Sequence, residues 1–365
     1  MTTTEPKKEV KTLPKEITAF LLVGLFALLV TLICPFILPN RFFNDVVTII
    51  HDPYGEIGWF GSYPFAISFY KYTGLGNLPM PLVGAFQMIV VLIFLFKLGI
   101  PSNFNRLTLK NILAYFTIVI CAVFMCMPSK EFITFLPFAA ISWLLIKNKY
   151  PYLKTIIIIS LILGLTGIFF REYFLIVLAI AIGLSITNRL IPYKSATVNL
   201  VLSIVLMTGI SGTYFVFNGK YITQDTREDL NESRKFSREA DSRIVSPFST
   251  NTYYGETLSI IYAYFSINIP INGLKFILKP QIIAFVFWQL FLFLMLLWCY
   301  NDILKNSSKD KLSDWPFHIL FAYLVVQAAF EPDLGSAIRH KIGVLPLIYL
   351  SLYNDILQRK EKLNF

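Results

Sequence analysis

The chain has 365 residues, of which 56% are hydrophobic, 16% aromatic and only 15% charged, with a formal net charge of +10. A soluble domain carries about 25% charged residues, so this composition, with a mean hydropathy of +0.63, excludes a soluble globular fold. The basic residues flank apolar runs and form no patch, which excludes a nucleic-acid partner. Cys34, Cys121, Cys126 and Cys299 lie inside apolar runs, with neither a disulfide framework nor a zinc spacing. His51, His318 and His340 are too far apart in sequence to form a metal motif.

A bilayer span needs about 17–25 mainly apolar residues. The sequence predicts an all-α polytopic membrane protein, one integral domain over 1–365, with about ten transmembrane helices. These lie near 17–38, 81–99, 111–127, 131–147, 154–170, 173–188, 197–217, 281–300, 316–331 and 338–354. The first run is too long for a cleavable signal peptide and reads as a signal anchor. Lys and Arg collect on alternate loops: Lys7, Lys8, Lys11 and Lys15 at the start, Lys305, Lys309 and Lys311 before the ninth span, and Arg359, Lys360 and Lys362 at the end. That pattern predicts both termini inside. Two long loops, 39–80 and 218–256, then lie outside. The stretch 257–279 is long enough to cross, but Asn268, Pro270, Asn272 and Gly273 interrupt it, so it reads as an interfacial or re-entrant segment.

Under this orientation the unusual charges gather on the outer face. Lys130 and Glu131 join the third and fourth spans, and Arg171, Glu172 and Tyr173 join the fifth and sixth. The first loop contributes Asp45, His51, Asp52 and Glu56; the long loop carries Arg227, Arg234, Arg238 and Arg243 among acids. The last two spans are joined by Phe330-Glu331-Pro332-Asp333-Leu334-Gly335-Ser336-Ala337-Ile338-Arg339-His340-Lys341. Ionisable groups at membrane depth are expensive and mark functional sites. With the last span beginning at Ile338, Arg339 and His340 fall in the first turn of a helix, where free N–H groups favour an anion. A guanidinium and an imidazole there describe a phosphate pocket with a base beside it. Helix-end residues such as Lys130, Glu131, Arg171 and Glu172 also serve as snorkelling anchors or ion pairs, and loop arginines as solvated pairs.

The order Ser-Lys-Glu-Phe (129–132), Arg-Glu-Tyr-Phe (171–174), a long outer loop, then Asp-Leu-Gly-Ser-Ala-Ile-Arg-His-Lys-Ile-Gly-Val-Leu-Pro-Leu (333–347) resembles the Wzy-type O-antigen and capsular polysaccharide polymerases, relatives of the O-antigen ligases. The resemblance covers residues 111 to 355; residues 1–110 match only in hydropathy. It implies a glycosyltransferase of the bacterial cytoplasmic membrane that joins oligosaccharide repeats carried on undecaprenyl diphosphate, at the outer face. It implies no metal and no other cofactor, and a chain-length regulator and a flippase as partners besides membrane lipid. Carried over by position, Arg171 and Arg339 hold the diphosphate, and His340 takes the position next to the second arginine. From their places on the outer face, Lys130 is a further candidate for the diphosphate, His340, Glu331 or Asp333 for the base, and Glu131, Glu172, Tyr173, Arg234 and Arg238 for supporting roles; no arginine of the long loop is matched to a family position.

Two other functions fit parts of the sequence. A glycosyltransferase using a lipid-monophosphate sugar needs an acid in the first outer loop, for which Asp45, Asp52 and Glu56 are available. A lipid-oligosaccharide flippase needs ionisable or helix-breaking residues near the midplane, where this sequence is largely uncharged. A multi-span acyltransferase would rest on His318 alone.

Overall fold

The computed structural model describes residues 13–147, 149–193, 195–233, 242–306 and 312–354. Every regular element among them is helical, and the one β-type pairing is an isolated bridge between Arg243 and Asp333. The first half comprises α1 (Lys15–Ile37), α2 (Asn44–His51), α3 (Ser62–Tyr72), α4 (Met80–Leu98), α5 (Leu109–Phe124), α6 (Lys130–Lys147) and α7 (Tyr152–Phe169). The second comprises α8 (Tyr173–Leu190), α9 (Ala196–Asn218), α10 (Asp229–Ser233), α11 (Tyr253–Asn268), α12 (Pro280–Asn306), α13 (Trp315–Phe330), α14 (Leu334–Gly343) and α15 (Leu345–Leu352).

Six of these helices, α1, α4, α7, α8, α9 and α12, are long and apolar enough to cross a membrane. They keep broad apolar faces exposed, as at Leu22, Phe26, Ile157, Leu161, Val201 and Phe287. In water such faces would drive aggregation; against acyl chains they are already solvated. The protein is a membrane-embedded helical bundle. Of the other predicted spans, α5 and α13 are shorter, the last is divided, and α6 is as long as α7 and α8 but carries Lys130, Glu131 and Lys147. At 1.5 Å per residue, the 16 residues of α13 reach about 24 Å, less than the roughly 30 Å hydrocarbon core.

Helix α13 is the axis of the bundle, and every residue from Trp315 to Ala329 is buried. A helix apolar all round belongs inside. Phe174 of α8 stacks on Tyr323, and Tyr300 of α12 stacks on Phe317. His318 sits between the rings of Tyr300 and Trp315, at the opposite end of α13 from Glu331.

Helices α9 and α12 run antiparallel. Asn301, near the end of α12, accepts from the backbone N–H of Ala196 that opens α9, and Asn199 donates to Tyr300. The start of α12 lies against the 3-10 turn Ile271–Phe276, where Gly273 approaches Val286 and Leu334. Residues 219–279 therefore leave and rejoin the bundle at the same end. Within them, α11 packs on α13 and α9, followed by that 3-10 turn.

The sequence predicts one helix over 338–354; the structure divides it. Helix α14 starts four residues earlier, at Leu334, because Asp333 caps it: its Oδ1 accepts from the Ser336 N–H at 2.8 Å. It ends at Gly343, and α15 begins with Pro346 as its second residue. Proline has no N–H to donate and its ring crowds the carbonyl four residues back, so the helix breaks there.

Candidate functional site: a cluster of charges at one end of the bundle

Four separate segments deliver charged side chains to one place. The start of α6 supplies Lys130 and Glu131, the α7–α8 junction Arg171 and Tyr173, the α13–α14 region Glu331, Arg339 and His340, and α2 Asp45. The centre is Glu131, whose side chain is fully buried. Its Oε2 lies 3.1 Å from Arg339 Nε, and its Oε1 3.7 Å from both Arg171 Nη2 and His340 Nε2. Asp45 Oδ2 bridges two cations, at 2.9 Å from Arg339 Nη2 and 3.2 Å from Lys130 Nζ. On the far side, His340 Nδ1 meets Glu331 Oε1 at 2.6 Å.

Neutral groups hold these charges in place. Tyr63 of α3 donates to Asp45 Oδ1 at 2.7 Å, and its ring carries Lys130 Nζ 3.5 Å from its centroid. Arg171 Nη1 donates to the Tyr173 hydroxyl at 3.0 Å, and its guanidinium lies over the Phe170 and Tyr173 rings. The backbone ahead of Lys130 is fixed by Tyr70, whose hydroxyl donates to the Ser129 carbonyl and accepts from its N–H. Gly343 lets α14 lie directly on α6: a Cβ there would come within 2.7 Å of Thr134.

The geometry separates pairing by charge from hydrogen bonding. Both Glu131 oxygens, and Nε and Nη2 of Arg339, make close ionic contacts without in-line hydrogen bonds. Burial alone would push the Asp45 carboxyl upward, but Lys130 and Arg339 outweigh it and hold it well below the usual carboxylate range. The Tyr63 hydroxyl moves the opposite way, pushed up by burial and by the Asp45 charge. Asp45, Arg339 and His340 keep about a fifth of their side chains exposed, whereas Glu131 and Arg171 are closed off.

Of the residues singled out in the sequence, Lys130, Glu131, Arg171, Tyr173, Glu331, Arg339 and His340 come together, and Asp45 joins them. Others do not. Arg339 and His340 are the sixth and seventh residues of α14, so the expected anion site in a first helical turn is not formed: the cap at Asp333 moves the helix start away from them. Asp333 spends its carboxylate on that cap, both oxygens accepting from Ser336. Asp52 accepts from the Glu56 N–H at 2.6 Å, in a left-handed turn with φ 42°. Glu172 is exposed outside the cluster. Arg234 and Arg238 lie outside the described residues. Arg227 is buried and structural, donating to the Ala328 carbonyl at 2.5 Å and to Ser259.

Lys341, next to His340 in sequence, is not part of the cluster. It is buried away from the cluster, where Nζ donates to Gln289 Oε1 at 2.7 Å and lies 3.5 Å from Asn268 Oδ1. Successive helical residues are turned by about 100°, so Lys341 faces α11 and α12 while Arg339 faces α6. Tyr63 and the Asn268–Gln289 pair were not singled out in the sequence.

Among the described residues no group of three or more His, Cys, Asp or Glu side chains is arranged to hold a metal ion; guanidinium and ammonium groups separate the carboxylates. No family model matches the chain, and no curated protein and no solved structure is similar to it at a significant level.

Proposed function

We propose that the chain is a polysaccharide polymerase that joins undecaprenyl-diphosphate-linked oligosaccharide repeats at the outer face of the bacterial cytoplasmic membrane, building O-antigen or capsule. The observation that carries this reading is the meeting of Lys130, Arg171 and Arg339 with a carboxylate-held imidazole, His340, at one end of a membrane bundle. The ten-span arrangement with both termini inside belongs to the same proposal. It is supported by 219–279 leaving and returning at one end, as a re-entrant α11 requires.

The chemistry follows from the reactants. The acceptor hydroxyl oxygen attacks the anomeric carbon of the donor, and the carbon–oxygen bond to the lipid diphosphate breaks. Charge develops on the departing phosphate, and preorganised guanidinium donors stabilise it best because their fork matches phosphate oxygens. The acceptor proton needs a base with correct direction. A carboxylate at His340 Nδ1 selects the tautomer protonated there and leaves Nε2 as the acceptor. Glu331 is then an orienting group and His340 the base. An apolar hollow of about 390 Å³ beside α11, lined by Phe248, Leu258, Phe265 and Ile271 among others, offers space for a prenyl chain.

A second reading rests on Asp45: its place between Lys130 and Arg339 also suits a transferase that uses a lipid-monophosphate sugar and a first-loop acid. The lipid-linked glycans of a deletion strain separate the two. Accumulated complete single repeats on undecaprenyl diphosphate support the polymerase; a truncated repeat supports the second reading, and repeats retained on the cytoplasmic side would sink both in favour of a flippase.

A further inference from the structure

The cluster is not a net cationic pocket. Three basic side chains, Lys130, Arg171 and Arg339, face three carboxylates, Asp45, Glu131 and Glu331. A diphosphate brings at least two negative charges, and placing it beside buried carboxylates without compensation would be strongly unfavourable. One carboxylate must leave or be neutralised when the anion enters. All three acids are held, Asp45 by Tyr63 as well as by two cations, and they differ in exposure and in the element that carries them. Glu131 is fully buried at the head of α6, and Glu331 is tied to His340 and buried at the end of α13. Asp45 is the accessible one, with 20% of its side chain exposed. It rides on a separate eight-residue helix, α2.

That helix is short and has two buried residues. It packs chiefly on α3 and the preceding 3-10 turn of the same loop. Val46, set against Cys126 and Met127, and Ile49 supply its buried apolar contacts. Asp45 meanwhile pairs with the two more exposed cations of the cluster, Arg339 and Lys130, and its contact with Arg339 lacks in-line hydrogen bonding from Nη2.

Resting on the diphosphate reading of this site, we propose that Asp45 is a built-in, displaceable counter-ion: the diphosphate takes its place on Arg339 and Lys130, and α2 with the first outer loop is released as the donor binds. Asp45 is thus a positioning residue that acts through the two cations. An empty site stays charge-balanced, so the guanidinium and ammonium do not stand unpaired beside the bilayer. The loop's position becomes a report of donor occupancy, because the same cations cannot pair closely with both partners.

The experiment uses the full chain in detergent, with inorganic pyrophosphate and geranylgeranyl diphosphate as probes. Affinities are measured by calorimetry, and hydrogen exchange is followed over residues 44–51. Wild-type protein should exchange faster at 44–51 on adding either probe. Asp45→Asn, nearly the same shape without the charge, should bind both roughly tenfold more tightly, a change of about 1.4 kcal/mol, with 44–51 fast from the start. Tightening for geranylgeranyl diphosphate alone would still support displacement and show that the prenyl chain is needed to seat the phosphates. Unchanged or weaker binding in Asp45→Asn, or slower exchange at 44–51 on adding probe, overturns the displacement. Arg339→Ala tests the underlying site: if it binds both probes as wild type does, the diphosphate reading itself falls.

Discussion

His340 Nδ1 and Glu331 Oε1 meet at 2.6 Å across the turn that joins α13 to α14. The cap at Asp333 sets the phase of α14, and that phase points the imidazole back at the end of α13. Removing the carboxylate and removing the imidazole should therefore have different signatures. Glu331→Gln should lower kcat by roughly 10²-fold, the scale of a lost orienting group in general-base catalysis, with little effect on KM. His340→Gln should lose more, because the proton acceptor itself is gone. Rates with a synthetic lipid-linked repeat decide it; near-normal turnover in His340→Gln would remove the base role.

Arg171 lies in a closed position, against Glu131, Tyr173 and the Phe170 ring. Arg171→Ala should abolish polymer formation while the protein still accumulates, because Arg339 continues to compensate Glu131 at 3.1 Å. Arg171→Lys should keep part of the activity, since a point charge cannot reproduce two parallel donors. Chain-length profiles of the polymer in membranes provide the measurement. Full-length product from Arg171→Ala would reduce this residue to a membrane anchor.

Gly343 tests how α14 is seated. A Cβ at this position would meet Thr134 at 2.7 Å, so Gly343→Ala must push α14 off α6. Overpacking of this kind costs about 1–3 kcal/mol and should lower Tm by several degrees. It should also reduce activity, because Arg339 and His340 move with the helix. Unaltered stability and rate would mean that the two helices separate freely.

Asp45 carries a pH dependence whose sign is fixed by its partners. Its carboxyl is held below the ordinary range in the folded chain, so the folded state binds fewer protons than the unfolded one around and below about pH 4. The stabilisation is fully present above that value and is lost as pH falls. Thermal unfolding in detergent should show Tm dropping as the buffer is taken below about pH 4, with a shallower drop in Asp45→Asn. Equal slopes in the two proteins would remove Asp45 from the set of strongly paired acids.

Most members of the cluster were legible because contrast made them so. Lys130, Glu131, Arg171, Glu331, Arg339 and His340 each stand beside apolar sequence, and hydrocarbon forces such residues into company. Tyr63 had no contrast, lying among other aromatics in a loop, so its hold on Asp45 was invisible. Asp45 was visible only as an acid in that loop; nothing local tells that α2 carries it to Arg339. Asp333 was misread: an aspartate opening a helix that carries Ser three residues later is a cap first, and both its oxygens are used there. Lys341 adjoins His340 in sequence yet lies apart from it, because successive helical residues are rotated by about 100°. The six apolar helices were plain from hydropathy, while the division of the last span at Val344 needed Pro346 to be weighed as a breaker.

The polar cradle of Lys341 bears on the order in which this protein is assembled. Helix α14 holds Arg339, His340 and Lys341 within ten residues, and Lys or Arg at the centre of an inserting helix costs about 2.5–3.5 kcal/mol each. Newly made, it cannot enter the bilayer on its own merits. The acceptors for Lys341, Gln289 on α12 and Asn268 at the end of α11, lie earlier in the chain. The carboxylate for Arg339, Glu131, is made earlier still. Helix α14 is therefore seated only where α6, α11 and α12 already present their polar partners, and the cluster forms after those helices are in place.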